Sequence, residues 1–119
     1  MKNKVIIVTG NQGEGKTTFI RNIILDLKKE EFKIGGLIAP GYWKNNTREK
    51  FELQNIKSNK VIIYCQIEPK KGWDKIRKFY INPLGQLFGE QALDPDFLKS
   101  SDIIIIDEIG NIWQMISQK

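Results

Sequence analysis

The stretch "KVIIVTGNQGEGKTTF", Lys4 to Phe19, decides the fold of this chain. It joins a β-branched apolar run, a glycine-rich turn and the start of an amphipathic pattern. "KVIIV" is continuous rather than alternating and stops at a glycine, which predicts a short, buried, parallel strand. From Lys16 onward Phe19, Ile20, Ile23, Ile24 and Leu27 recur at helical spacing. Arg21, Asp26, Lys28 and Lys29 occupy the other face, so a helix is expected to run to about Glu31. Between strand and helix, Gly10, Gly15, Lys16 and Thr17 complete the pattern G-x-x-x-x-G-K-[ST] in the context that pattern requires.

The spacing follows from what a polyphosphate needs. Glycines let the backbone curl until successive N–H groups point inward at an anion. The helix that follows adds its positive dipole end and its unpaired N–H groups. Lys16 supplies a mobile charge for the β- and γ-oxygens, and the Thr17 hydroxyl is suited to ligate Mg²⁺. Thr18 can add a hydroxyl to the α-phosphate. The candidate nucleotide-binding residues are therefore Gly10, Asn11, Gln12, Gly13, Glu14, Gly15, Lys16, Thr17 and Thr18. A tight turn capping a helix explains the glycines but not Lys16 followed by Thr17. A dinucleotide fingerprint fails, because Thr18 stands where its third glycine belongs and no acid closes the next strand.

Further along, "KIGGLIAPG" is a second strand closed by Pro40 and Gly41. "REKFELQNI" and "VIIYCQI", joined by the polar "KSNK", predict an antiparallel hairpin, since a parallel crossover needs more chain than that turn supplies. Residues 68–83, broken by Pro69, Gly72 and Pro83, read as loop. "LGQLFGEQAL" sets Leu84, Leu87, Phe88 and Leu93 on one face of a short helix weakened by Gly85 and Gly89. "SSDIIIIDEIG" is an uncharged β-branched run bounded by carboxylates, a fully buried strand, and "NIWQMISQK" can begin another helix.

The end of that last strand is the second informative stretch. Asp107 can reach a Mg²⁺ shell, and Glu108 can orient and deprotonate a water in line with a γ-phosphate. Alternation sends neighbouring side chains to opposite faces unless the strand is already turning, which Gly110 allows. The blander reading is a strand that ends in solvated acids. Asp107 to Gly110 also fits the D-x-x-G of signalling GTPases, but the N/T-K-x-D segment that selects guanine is missing.

Composition narrows the classes. With no histidine and the single cysteine Cys65, zinc and haem sites built on the usual ligands are excluded and no internal disulfide can form. A metal must be held by oxygen, which points to Mg²⁺ as the cofactor. A lone thiol in an apolar run suits a reduced, cytoplasmic setting. No apolar run approaches the roughly 20 residues that cross a bilayer, so no membrane partner is expected. The net charge is +5, with its densest cations in "PKKGWDKIRKFY", where Lys70, Lys71, Lys75, Arg77 and Lys78 alternate with Trp73, Phe79 and Tyr80. Basic residues interleaved with aromatics suit a single nucleic acid strand. A solvated loop with its aromatics tucked inward is the plainer expectation, so nucleic acid is not expected as a partner.

With both motifs placed, the chain resembles the THEP1-type nucleoside-triphosphatase family. The resemblance rests on "GNQGEGKTT", the strand and turn "IGGLIAPGYW", "REKFEL", "FYINPLGQLFGEQAL" and "IIIIDEIG". It implies a P-loop, RecA-like α/β sheet flanked by helices, with an antiparallel hairpin inserted. It also implies slow, Mg²⁺-dependent hydrolysis of several nucleoside triphosphates, ATP or GTP included. Lys16 and Glu108 would be the catalytic residues, and Thr17 and Asp107 the metal ligands. Arg48 matches an arginine before the aromatic of the hairpin strand. The chain departs after "DEIG", where "NIWQM" replaces the family's usual continuation, and family members run further. Residues 1–119 would then be a single domain holding the N-terminal two-thirds of the family's, incomplete at its C-terminus. In a RecA-like plan a later strand separates the phosphate-loop strand from the "DEIG" strand. That plan predicts a gap between them here, to be filled by a partner chain or a second copy. Two other readings stay open: a nucleotide-binding module without appreciable turnover, and a P-loop kinase of a small molecule or nucleotide.

Overall fold

The computed structural model describes residues 4–8, 16–44 and 47–107. In chain order these form β1 (Lys4–Val8), α1 (Lys16–Lys29), β2 (Ile34–Ile38), β3 (Gly41–Lys44), β4 (Thr47–Asn55), β5 (Val61–Gln66), β6 (Asp74–Ile76), β7 (Phe79–Ile81), α2 (Gly85–Ala92), α3 (Pro95–Leu98) and β8 (Ile103–Asp107). One sheet collects the described strands in the order β1-β8-β2-β4-β5-β7-β6, with β3 continuing the β2 edge of β4 beyond the bend at Ala39 and Pro40. β1, β8 and β2 are parallel, and β4, β5, β7 and β6 extend the sheet antiparallel. The α/β class and the hairpin of β4 and β5 are as expected.

The predicted gap is not there. β8 pairs directly with β1 on one side, Val5 against Ile104 and Val8 against Asp107, and with β2 on the other. Backbone groups that a gap would have stranded, at a cost of several kcal/mol each, are paired instead. The consequence falls on β1. Among the described strands it lies at the edge rather than buried, with Val5 56% and Ile7 62% exposed.

Each face of the sheet has its own core. Ile20 and Ile24, four residues apart on α1, pack with Ile34, Ile38, Ile56, Ile103 and Ile105. Phe19, expected on that face, turns outward and is 59% exposed. On the other face Leu37, Ala39, Phe51, Leu53, Tyr64, Cys65, Phe79 and Ala92 form the cluster under α2. At roughly 1.5–3 kcal/mol for each large apolar side chain buried, these two clusters supply most of the drive to fold. Gly36, in the middle of β2, has φ 127°, and a Cβ there would lie 1.9 Å from the Ile105 carbonyl oxygen. Only glycine lets β2 and β8 run this close.

Two further expectations are corrected. Residues 68–83 are not all loop, since β6 and β7 form a hairpin around Arg77 and Lys78. Its strands are only three residues long and its turn carries a left-handed arginine (φ 57°) in place of glycine, so neither signal was legible. Half of the face expected for α2 holds: Phe88 and Leu93 pack against the core, but Leu84 and Leu87 are exposed, and Gly85 and Ala92 are the helix's buried residues. The glycine that weakens the helix locally is what lets it sit against the Tyr64 ring. Asn82 fixes the approach to α2 by donating to the Ile63 carbonyl (2.7 Å) and accepting from the Leu84 N–H (2.9 Å). The expected helix in "NIWQMISQK" lies outside the described residues.

Candidate functional site

In open α/β sheets ligands bind beyond the carboxyl ends of the parallel strands. Here those ends are Val8, Asp107 and Ile38, which the registers of β1, β8 and β2 hold nearly level. Val8 is the last described residue before the glycine-rich segment, and Lys16 is the first residue of α1. That segment therefore leaves the sheet one strand spacing, about 4.8 Å, from Asp107 and returns as a helix N-terminus. Thr17 and Thr18 stand in the first turn of α1, Thr17 half-buried and Thr18 exposed. The 14 residues of α1 place about half a positive charge at that end, and Lys28 and Lys29 complement its other end.

Asp107 is 1% exposed, a rare state for a carboxylate. Its Oδ2 accepts the backbone N–H of Ala39 at 3.0 Å, which ties the end of β8 to the end of β2. Sequence reasoning found the aspartate but not Ala39, whose contribution is a backbone group without a residue signature. The structure brings Asp107 to the end of the sheet from which the candidate phosphate segment departs. Gly10 to Gly15 and Glu108 lie outside the described residues. Arg48 is in β4, level with Trp43 of β3.

The side chains named at this end of the sheet offer oxygen: the Asp107 carboxylate at the end of β8 and the Thr17 hydroxyl in the first turn of α1. An aspartate carboxylate and a threonine hydroxyl are donors of the kind that suit a hard cation such as Mg²⁺, which takes one or two protein oxygens and completes its shell with phosphate and water. Cys65, the only thiol in the chain, is buried in the core under α2 and belongs to no such site.

A second polar cluster borders α1 and had no local signal, because its members come from three elements. The Tyr42 hydroxyl of β3 donates to the Glu52 Oε1 of β4 at 2.6 Å, and Lys50 stands 3.9 Å from the same carboxylate. The Lys50 Nζ also lies 4.8 Å from the centre of the Tyr42 ring. The Glu52 carboxylate raises the Tyr42 pKa above its usual value, burial adds to this, and the Arg21 guanidinium on α1 opposes it. Arg21 is thus the point where the helix after the glycine-rich segment meets the antiparallel half of the sheet.

Known proteins share the sequence and the fold of this chain. The chain is 36% identical over 105 residues to the nucleoside-triphosphatase THEP1 of Sulfolobus acidocaldarius, covering 88% of this chain and 59% of that protein. It is 34% identical over 107 residues to the THEP1 of Methanocaldococcus jannaschii, covering 88% and 61%. The chain thus spans about three-fifths of the length of these curated relatives. A solution structure of a human cancer-related nucleoside triphosphatase shares the fold, with a TM-score of 0.57 over 87% of this chain and 74% of that one at 16% identity. Among the described residues no helix is long and apolar enough to cross a membrane. A family model described as NTPase matches residues 5–118, nearly the whole length, and the chain belongs to that family.

Proposed function

We propose that this chain carries the site of a Mg²⁺-dependent nucleoside-triphosphate phosphohydrolase. The observation that carries the reading is the placement of a 1% exposed Asp107 beside the strand that leads to G-x-x-x-x-G-K-[ST]. The names of its relatives and its family support it. Gly10 to Gly15 wrap the phosphates with their N–H groups, Lys16 neutralises the β- and γ-oxygens, and the Thr18 hydroxyl reaches the α-phosphate. Thr17 and Asp107 would hold Mg²⁺, which when bound supplies charge neutralisation on the phosphate oxygens. Glu108 accepts the proton of the attacking water. The work is positioning and electrostatics at a helix N-terminus. The lone, buried thiol of Cys65 suits a reducing cytoplasm. We also infer that the open edge of β1 takes a further strand from a partner chain or a second copy.

Three variants test the assignment together. Lys16→Ala is expected to lose nucleotide binding, measured with a fluorescent triphosphate analogue. Glu108→Gln is expected to bind as the parent does while phosphate release falls by at least about 10²-fold. Asp107→Asn, whose amide oxygen can still accept from Ala39, is expected to stay folded and to lose the gain in affinity that added Mg²⁺ gives. Parental phosphate release by Glu108→Gln would remove the assigned base.

A further inference from the structure

The cations of this chain are not evenly spread once the fold is known. Residues 70–80 hold five cations and one acid, a net +4 of the chain's +5. They form the loop into β6 and the β6–β7 hairpin, and Lys70, Lys71, Lys75, Arg77 and Lys78 are all exposed. Arg77 occupies a left-handed turn position that glycine would fill with less strain, so a long cation stands at the hairpin tip at some backbone cost.

Strand register then places this hairpin in a larger pattern. Tyr42 pairs with Lys50, Lys50 with Gln66, Gln66 with Tyr80, and Tyr80 with Lys75. These five residues make one straight row across β3, β4, β5, β7 and β6. Their chain neighbours Phe51, Cys65 and Phe79 lie in the core under α2, so the row stands on the opposite face. α1 packs over β2 and β8 on that side and reaches the row only at its end, where Arg21 meets Tyr42. Tyr42 is 38% exposed, Tyr80 is partly exposed, and each carries a lysine over its ring, Lys50 at 4.8 Å and Lys75 at 5.8 Å. A third such pair, Lys70 over Trp73 at 5.1 Å, sits in the loop that enters β6.

We propose that this row is a platform for a single strand of nucleic acid, with bases on Tyr42 and Tyr80 and phosphates on Lys75, Arg77 and Lys78. The two rings are three strand spacings apart, about 14 Å, so two bases of one extended strand can each find a ring. The lysine heads now resting on the rings are flexible and can swing to phosphates when bases replace them. Glu52, beside Tyr42, repels phosphates from the β3 end and sets the backbone toward the hairpin. The row also lies toward the end of the sheet that carries Asp107. Ile38, level with Asp107, pairs with Gln54, and Lys50 is four residues further along β4. The row thus stands about 13 Å beyond the carboxyl ends of the parallel strands, at the end of the sheet where the glycine-rich segment emerges. Duplex is a poor fit, because its bases are stacked on each other and cannot reach the rings.

Fluorescence anisotropy with fluorescein-labelled dT12 and rU12 tests this without reference to hydrolysis. The parent chain is expected to bind both saturably, more tightly than duplex of equal length. Three to four phosphate contacts predict a slope of log affinity against log salt of about −2 to −3. The pair Lys75→Glu and Lys78→Glu is expected to weaken binding by at least about ten-fold and to flatten that slope. Tyr80→Leu is expected to weaken it by about ten-fold with the slope unchanged, while Tyr80→Phe keeps it. Tyr42→Leu, at a more exposed position, carries the same test should Tyr80→Leu fail a thermal melt. Absence of binding at 50 mM salt overturns the proposal. So does parental affinity in the leucine variants, or heparin competing equally well against parent and leucine variants, since either outcome leaves only a general affinity for polyanions.

Discussion

Cys65 and Tyr64, adjacent on β5, show how one buried position governs the behaviour of the whole chain in alkali. Burial pushes the Cys65 thiol up to about 12 from an ordinary 9.0, and the Tyr64 hydroxyl up to about 12 from 10.0. Both groups are neutral in the native state, and ionising either would place a charge in the core under α2. Above pH 9 the unfolded chain releases the Cys65 proton while the native chain keeps it. The unfolded state then binds fewer protons, so stability falls as pH rises. This contribution is intact below pH 9, declines from there, declines faster above pH 10 where unfolded Tyr64 also ionises, and is exhausted near pH 12. Urea midpoints measured from pH 8 to pH 11 are expected to trace that fall. Cys65→Ala is expected to delay its onset from about pH 9 to about pH 10. An onset unmoved by Cys65→Ala would mean that the thiol does not control it.

At the scale of elements, α2 holds two glycines whose replacement by alanine is expected to have opposite outcomes. Alanine gains about 1 kcal/mol over glycine in a helix interior. At Gly89 the added Cβ would meet the Leu37 Cδ2 at 3.7 Å, an ordinary contact, so Gly89→Ala is expected to stabilise by about 0.5–1 kcal/mol. At Gly85 it would lie 2.2 Å from the Tyr64 Cδ1, in a ring that the core holds. Overpacking of about 1–3 kcal/mol outweighs the propensity gain there, and Gly85→Ala is expected to destabilise. Thermal or urea unfolding of the two variants separates them. The same helix marks what a sequence can tell. α1 was legible because fourteen residues repeat an apolar period and a loop motif fixes their start. β8 was legible because its uncharged run admits no solvated face. α2 was found with half its face right, Phe88 and Leu93, while its most buried positions, Gly85 and Ala92, are small residues that periodicity does not count. β6 and β7 were missed because three-residue strands draw their stability from pairing, β7 with β5 and β6 with β7, not from local preference. At the candidate site the motif residues were readable one by one. Ala39 N–H, and the meeting of Arg21, Tyr42 and Glu52, arise only when distant strands come into register.

At the scale of the molecule the sheet is asymmetric. Its β6 edge is guarded by Lys75 and by the cations of the adjoining turn, the usual means of keeping an edge strand from pairing with another chain. Among the described residues the β1 edge has no such guard beyond Lys4 at its start. Register puts Val5 and Ile7 on one face with Ile104 and Ile106, and Val5 and Ile7 are both more than half exposed. An apolar strand with a free row of N–H and C=O groups is a template for a further strand, and its exposed side chains add area to whatever pairs there. The chain is therefore expected to associate as its concentration rises, through β1 and not through the cationic edge. Ile7→Lys places a charge on that face at a position 62% exposed, so its effect on unfolding is expected to stay within about 0.5–1 kcal/mol. Its effect on association should be far larger, because pairing would bury the charge. Light scattering over a concentration series is expected to show the parent growing in mass while Ile7→Lys stays monomeric. Lys75→Ile, which strips the guard from the opposite edge, is expected to add a second route of association that Ile7→Lys does not suppress. Equal association of parent and Ile7→Lys would show that β1 is not the surface through which the chains meet.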